Sequence, residues 1–107
     1  MIPALLILSQ LSFAAAAGSP TLIDTERRDE LLRLLRHDCG SCHGMTLKGG
    51  LGPALTREAM AARPAEYLYL TVRDGHPGTP MPPWRGILTD NEIHWLVTQL
   101  RSGIPSP

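Results

Sequence analysis

Cys39-Gly40-Ser41-Cys42-His43 is the stretch on which the reading of this chain turns. Two thiols separated by two residues and followed at once by an imidazole match the spacing used to attach haem c. Each thiol can add to one vinyl group of the porphyrin, and the two intervening residues allow a tight turn that presents both sulfurs along one porphyrin edge. The adjacent His43 then lies under the iron with a ring nitrogen free to bind it. Other uses of these residues fit less well. A structural zinc site needs four Cys or His ligands, normally in two pairs, and the 107-residue chain has only these two cysteines. A thioredoxin-like dithiol expects a βαβ surround, which the sequence pattern lacks. A disulfide within the pair would close a loop too small to constrain much chain.

The chain opens Met1-Ile2-Pro3-Ala4-Leu5-Leu6-Ile7-Leu8, stays apolar to Phe13 and then runs Ala14-Ala15-Ala16-Ala17-Gly18. This reads as a secretory leader spanning 1–17, cut after Ala16 or Ala17, although no Lys or Arg precedes the apolar run. A retained anchor is the alternative, but the run falls short of the roughly twenty residues of a span and contains Pro3. The expected mature domain is 18–107, in the periplasm, with no stable membrane span once the leader is removed. Ten basic and ten acidic residues give zero formal charge. With no basic tract and no aromatic-basic interleaving, a nucleic-acid partner is excluded. One domain of this size is short of a comfortable core. Its single Phe lies in the leader, leaving Leu, Ile, Val, two Tyr and two Trp to build the interior. A flat apolar cofactor is a natural substitute for the missing aromatics.

Thr21-Leu22-Ile23-Asp24 forms a capping-box-like start to a helix expected to run to about His37. Leu31, Leu34 and Leu35, widened by Leu32, make its apolar stripe. Arg27, Arg28, Glu30, Arg33 and Arg36 read as a solvated face with local ion pairs. His37 is too near Cys39 to serve the iron. In the following Gly44–Pro53 loop, four glycines mark a sharp, closely approaching turn. No strand precedes it and no Gly-Lys-Ser/Thr ends it, so it is not a phosphate loop. A ligand histidine commonly donates its second ring N–H to a carbonyl, and this loop is placed to supply one. Thr56 caps a short helix to about Ala62. Pro64 starts another at its first turn, which Asp74-Gly75 breaks, with Tyr67, Leu68 and Val72 as its core face.

Four prolines between His76 and Gly86 forbid helix and leave a stiff extended loop. Met81 in its middle suits fixing a thioether on the distal side of the iron, which favours the ferrous state and raises the reduction potential. His76 is the alternative sixth ligand, giving a lower-potential bis-His haem. Met60 is expected within a helix, and Met45 is too close to His43 to reach the opposite face without strain. Trp84 either meets the haem rim or a propionate, or packs as ordinary core. Thr89-Asp90-Asn91-Glu92 is a capping box, with Leu88 and Ile93 as the hydrophobic staple. Ile93, Leu96, Val97 and Leu100 form the last helix's stripe, flanked by Trp95, and Ser102-Gly103 ends it. His94 lies off the stripe and carries no expected metal role.

A haem motif after a first helix, a glycine-proline loop, a Pro-rich segment with one Met and a terminal amphipathic helix together resemble a class I monohaem cytochrome c across essentially all of 18–107. The resemblance implies an all-α fold with the first and last helices packed beside a covalently bound haem. It implies Cys39 and Cys42 as thioether sites, His43 and Met81 as axial ligands, and Pro53 as the carbonyl accepting from His43. Members of that class often carry an aromatic residue where the first helix crosses the last; here the first helix offers only leucines. More narrowly, Asp38–Met45, Leu47–Pro53 and Gly78–Trp84 are similar to the NirC-type periplasmic cytochromes, which accompany the nitrite reductase of denitrification that uses haem c and a d-type haem. That likeness implies a redox partner protein, with one-electron transfer to or around nitrite reductase, or alternatively a binding role in maturation of the d-type haem. A peroxidase or gas sensor with an open sixth position is the enzymatic alternative. No paired carboxylates or nucleophile-base pair form another reaction centre, so the expectation is an electron carrier and not an enzyme.

Overall fold

A computed structural model describes residues 22–104; the expected leader at 1–17 and the Thr21 cap lie outside the described residues. Helix α1 (Thr25–Leu34) is capped by Asp24, whose Oδ1 accepts from the Arg27 amide at 2.7 Å. The cap thus belongs to Asp24, whose carboxylate satisfies a free amide and places negative charge at the positive helix end. Nor does the helix stop near His37. Leu35–Cys39 widens into one stretch of π-helix, and α2 (Gly40–His43) carries helical backbone to Gly44 at φ +92°. The Gly40 amide reaches back five residues to the Leu35 carbonyl, while the Ser41 hydroxyl donates to the His37 carbonyl at 2.6 Å. Those bonds take up the carbonyls that the extra residue displaces.

Three further helices follow: α3 (Arg57–Ala61), α4 (Ala65–Asp74) and α5 (Asp90–Ser102). Thr56 caps α3 through a bond from the Ala59 amide. Pro64 stands just outside α4 with extended backbone, ψ 143°, rather than as its first helical residue. Its missing N–H costs nothing in either position. The α5 capping box forms in both directions, and Gly103 at φ +88° ends the helix. Among the described residues there is no strand.

One core unites the helices. Leu31, Leu35 and Ile93 are fully buried, together with Met60, Leu68, Tyr69, Leu88, Leu96, Val97 and Leu100. Each such side chain contributes about 1.5–3 kcal/mol on leaving water, and Leu31 and Leu35 put aliphatic side chains into the core shared with α5. Trp95 packs at the edge of this cluster. The expectation for α4 needs one correction: Tyr67 is 43 % exposed and Tyr69 is the buried tyrosine. At about 100° per residue, Tyr69 lies angularly nearer than Tyr67 to the direction shared by Leu68 and Val72. Tyr69 also stacks on the exposed His94 ring, with centroids 3.9 Å apart and planes 4° from parallel.

The arginine-rich face of α1 does more than carry local pairs. Arg27 donates to Glu30 at 2.8 Å, as expected for neighbours one turn apart, but its Nε also donates to Glu92 of α5. Glu92 is buried, and its other oxygen accepts from the Thr89 amide at 2.9 Å. One carboxylate therefore closes the α5 cap and ties α5 to α1. The Arg27 hydrogen bond holds the Glu92 carboxyl below the ordinary carboxylate range, against the opposing effect of burial, with the Thr89 amide adding to it. A group depressed in the fold contributes stability above its unfolded pKa and loses it as pH falls through the folded value. We expect Glu92→Gln to lower unfolding free energy in urea by about 1–2 kcal/mol at neutral pH. Its disadvantage relative to the wild type should shrink as pH falls through and below the ordinary carboxylate range; an undiminished difference at the acid end would assign the effect to shape rather than charge.

Candidate functional site

The end of the long helical run delivers the chemistry. Cys39 and Cys42 stand three residues apart on helical backbone rather than in a tight turn, so both fall on one face. Neither is in a disulfide and both are half-buried. Burial, reinforced by the neighbouring Asp38 carboxylate, pushes the Cys39 thiol up to about 11. It is therefore an uncharged thiol at neutral pH.

His43 is buried at the last helical position. Beyond it the glycine loop folds back under the helix end: the Gly49 amide donates to the His43 carbonyl and the Gly52 amide to the Cys42 carbonyl, each at 2.8 Å. Two carbonyls that a helix terminus leaves without partners are thereby satisfied. The same return brings the Pro53 carbonyl 2.7 Å from His43 Nδ1. A carbonyl oxygen can only accept, so Nδ1 carries the proton and Nε2 is left with its lone pair. Gly52 forms the floor beneath the ring: a Cβ there would lie 2.7 Å from His43 Cε1 and 2.8 Å from Nδ1. No residue larger than glycine fits that gap, a close approach that glycine-richness signalled without saying which glycine made it.

Met81 and His76 stand on a different piece of chain. The 75–83 loop leaves α4 at Gly75 and returns along it, with the Trp84 amide donating to the Val72 carbonyl at 3.1 Å and Arg85 to Arg73 at 3.2 Å. Asp74 sits at the base, paired with Arg73 at 2.9 Å and Arg85 at 3.5 Å. The Arg73 guanidinium holds the Asp74 carboxyl below its ordinary range, with Arg85 adding to it. Met81 is half-buried and His76 exposed. The other methionines are engaged elsewhere: Met60 is 5 % exposed within the core, and Met45 is 60 % exposed with its sulfur beside Gly40. Trp84 is half-buried against the core cluster. The Asp74 clasp had no sequence signal, because its two arginines lie one and eleven residues away and only the loop's return joins them.

These donors suit covalent haem: unpaired thiols on one helix face, an imidazole with one nitrogen committed to a carbonyl and the other available, and a thioether on a stiff loop. Among the described residues, no three His, Cys, Asp or Glu side chains converge to hold a metal ion by themselves, and no helix is long and apolar enough to cross a membrane.

The chain is similar to known proteins. The family described as cytochrome c oxidase, cbb3-type, subunit III matches residues 26–98. Cytochrome c55X of Pseudomonas aeruginosa is 52 % identical over 84 residues, 78 % of this chain and 71 % of that protein. Cytochrome c55X of Stutzerimonas stutzeri is 48 % identical over 101 residues, 94 % of this chain and 84 % of its own. That of Paracoccus denitrificans is 46 % identical over 95 residues, 89 % of each. The solved structure of a c-type cytochrome NirC superposes with a TM-score of 0.75 at 52 % identity, covering 78 % of this chain and 99 % of its own.

The floor under His43 gives a direct check. Gly52→Ala forces the imidazole and the Pro53 carbonyl apart and should destabilise the protein by about 1–3 kcal/mol in urea unfolding. Gly86→Ala is the reference, since nothing lies within 4 Å of a Cβ there. Equal midpoints for the two variants would contradict the packing.

Proposed function

This chain belongs to the c-type cytochrome family, and from that membership we propose that it is a periplasmic monohaem carrier delivering single electrons to the dissimilatory nitrite reductase of denitrification. Members of the family bind covalently attached haem c and are electron carriers rather than enzymes. Haem c supplies a reversible one-electron change at its iron. What the chain supplies is attachment, orientation and a setting for the potential. In this reading Cys39 and Cys42 bond the cofactor, His43 Nε2 and Met81 Sδ hold the iron, Pro53 orients the imidazole and Trp84 lies in the surrounding wall.

The observation that carries the reading is the 2.7 Å hydrogen bond from His43 Nδ1 to the Pro53 carbonyl. It sets the tautomer, raises the basicity of Nε2 and leaves that nitrogen free to bind a metal. Met81 offers a soft thioether from a loop whose prolines restrict its backbone, which favours the reduced state. With His43 and Met81 both committed, the chain has no position for a substrate, in keeping with a carrier. Nitrite reductase is the preferred partner because the chain is half identical to a NirC over 78 % of its length, and NirC-type cytochromes accompany that reductase. In this reading residues 1–17 direct export to the compartment where such motifs receive haem and are then cleaved.

Expression in a bacterium with haem-ligation machinery should give a protein that begins at residue 17 or 18 and carries one covalent haem, read by intact mass. The ferric form should show the weak far-red band of thioether ligation. Met81→Ala should abolish that band and lower the reduction potential, whereas His76→Ala should leave both in place; a band that survives Met81→Ala refutes the ligand assignment. The reduced protein should pass electrons to purified nitrite reductase in stopped flow. No transfer at any ionic strength would favour a binding role in d-type haem maturation instead.

A further inference from the structure

Gly75, directly after the last residue of α4, lies backbone to backbone against the Met81 loop. It is buried, with φ +72° and ψ −174°, a combination essentially confined to glycine. A Cβ at this position would stand 2.8 Å from the Met81 carbonyl oxygen, from the carbonyl carbon of Pro82 and from the nitrogen of Pro83. All three atoms belong to main chain flanked by prolines, which cannot yield as a flexible side-chain tip would. The loop is closed over the same point by the His76 amide, which donates to the Met81 carbonyl at 3.2 Å. Gly78 offers the contrast within one loop. Its φ is +80°, yet nothing lies within 4 Å of a Cβ built there.

We propose that Gly75 is the positioning residue for the Met81 thioether: its bare α-carbon is the seat against which residues 81–83 rest, and so it sets how far the sulfur extends from the loop base. The inference rests on Met81 being the sixth ligand. Any side chain at residue 75 lifts the 81–83 backbone off α4 and carries the sulfur with it. Asp74 pairs with Arg85 at 3.5 Å across the base of the same loop.

The test compares haem-loaded wild type, Gly75→Ala, Gly78→Ala and Met81→Ala for the far-red band, the reduction potential and the rate of carbon monoxide binding to the ferrous protein. Gly78→Ala should behave as wild type. Gly75→Ala should retain covalent haem and helical content but lose most of the band, shift its potential towards that of Met81→Ala and bind carbon monoxide roughly tenfold faster. Wild-type band, potential and rate in Gly75→Ala would overturn the proposal, as would equal loss in Gly78→Ala, which would assign the effect to backbone strain alone. A wild-type band that persists in Met81→Ala is separately recognisable: it overturns the ligand reading and this inference with it. If Gly75→Ala yields no haem-loaded protein, Pro83→Gly slackens the other side of the same contact while leaving Gly75 in place. Faster carbon monoxide binding there supports the proposal, and an unchanged rate overturns it.

Discussion

A carbonyl that can only accept meets an imidazole nitrogen across 2.7 Å, and much of the local architecture is organised to keep Pro53 and His43 in that relation. For the contact to form, the chain must reverse immediately after the helix and come back beneath its last turn. The reversal leaves room for no side chain under the ring, hence glycine at 52. It also provides amides for the Cys42 and His43 carbonyls that helix termination strands. Satisfying the helix end and orienting the imidazole are thus one event, because the same ten residues do both. A buried polar group with its partner in place stabilises the fold, whereas the same group left without one would cost several times as much as the bond contributes.

A second hold acts at the far end of the helical run. Leu31 and Leu35 share a core with Ile93, Leu96, Val97 and Leu100, and Arg27 adds a directional link to Glu92 beside it. Apolar contact fixes the distance between the first and last helices but tolerates sliding. The guanidinium-carboxylate bond resists sliding, since its geometry is strict and the Glu92 carboxylate is already committed to the Thr89 amide. Between the two holds lies the π-helical stretch Leu35–Cys39, which introduces an extra residue between the leucine stripe and the thiols. The face that packs and the face that carries Cys39 and Cys42 are re-phased relative to a regular α-helix as a result.

The two segments proposed to carry the iron ligands differ in kind. His43 is secured by a hydrogen bond and a tight floor, while Met81 is carried on a loop held at its base by backbone bonds to α4 and by Asp74. An electron carrier benefits from little structural change between oxidation states, and the prolines around Met81 serve that end by removing backbone freedom before folding rather than by adding contacts after it. The cytochromes c55X, at 48 % and 46 % identity, cover 94 % and 89 % of this chain, so the likeness extends well beyond the haem motif.

Local rules reached a good deal of this. Thr89 and Glu92 wrote the start of α5, Thr56 that of α3, and Asp74-Gly75 the end of α4, because caps and breakers act on neighbours within a few residues. The cysteine spacing pointed to haem chemistry for the same reason: the cofactor's vinyl groups impose a separation that a short motif can state. The helix end at that motif is not legible locally, since a helix that ends against a returning loop ends where the loop catches it. Tyr69 rather than Tyr67 faces inward because it lies angularly nearer the direction shared by Leu68 and Val72, a preference already written in the period of α4. By itself the amino-acid order determined the all-helical class, the attachment motif and the candidate ligands, all of which depend on residues close in sequence. Only the tertiary structure decided which glycine lies under His43, that Glu92 belongs to Arg27, and that Gly75 seats the Met81 loop, because each of these is a contact between segments whose separation in sequence says nothing about their distance in space.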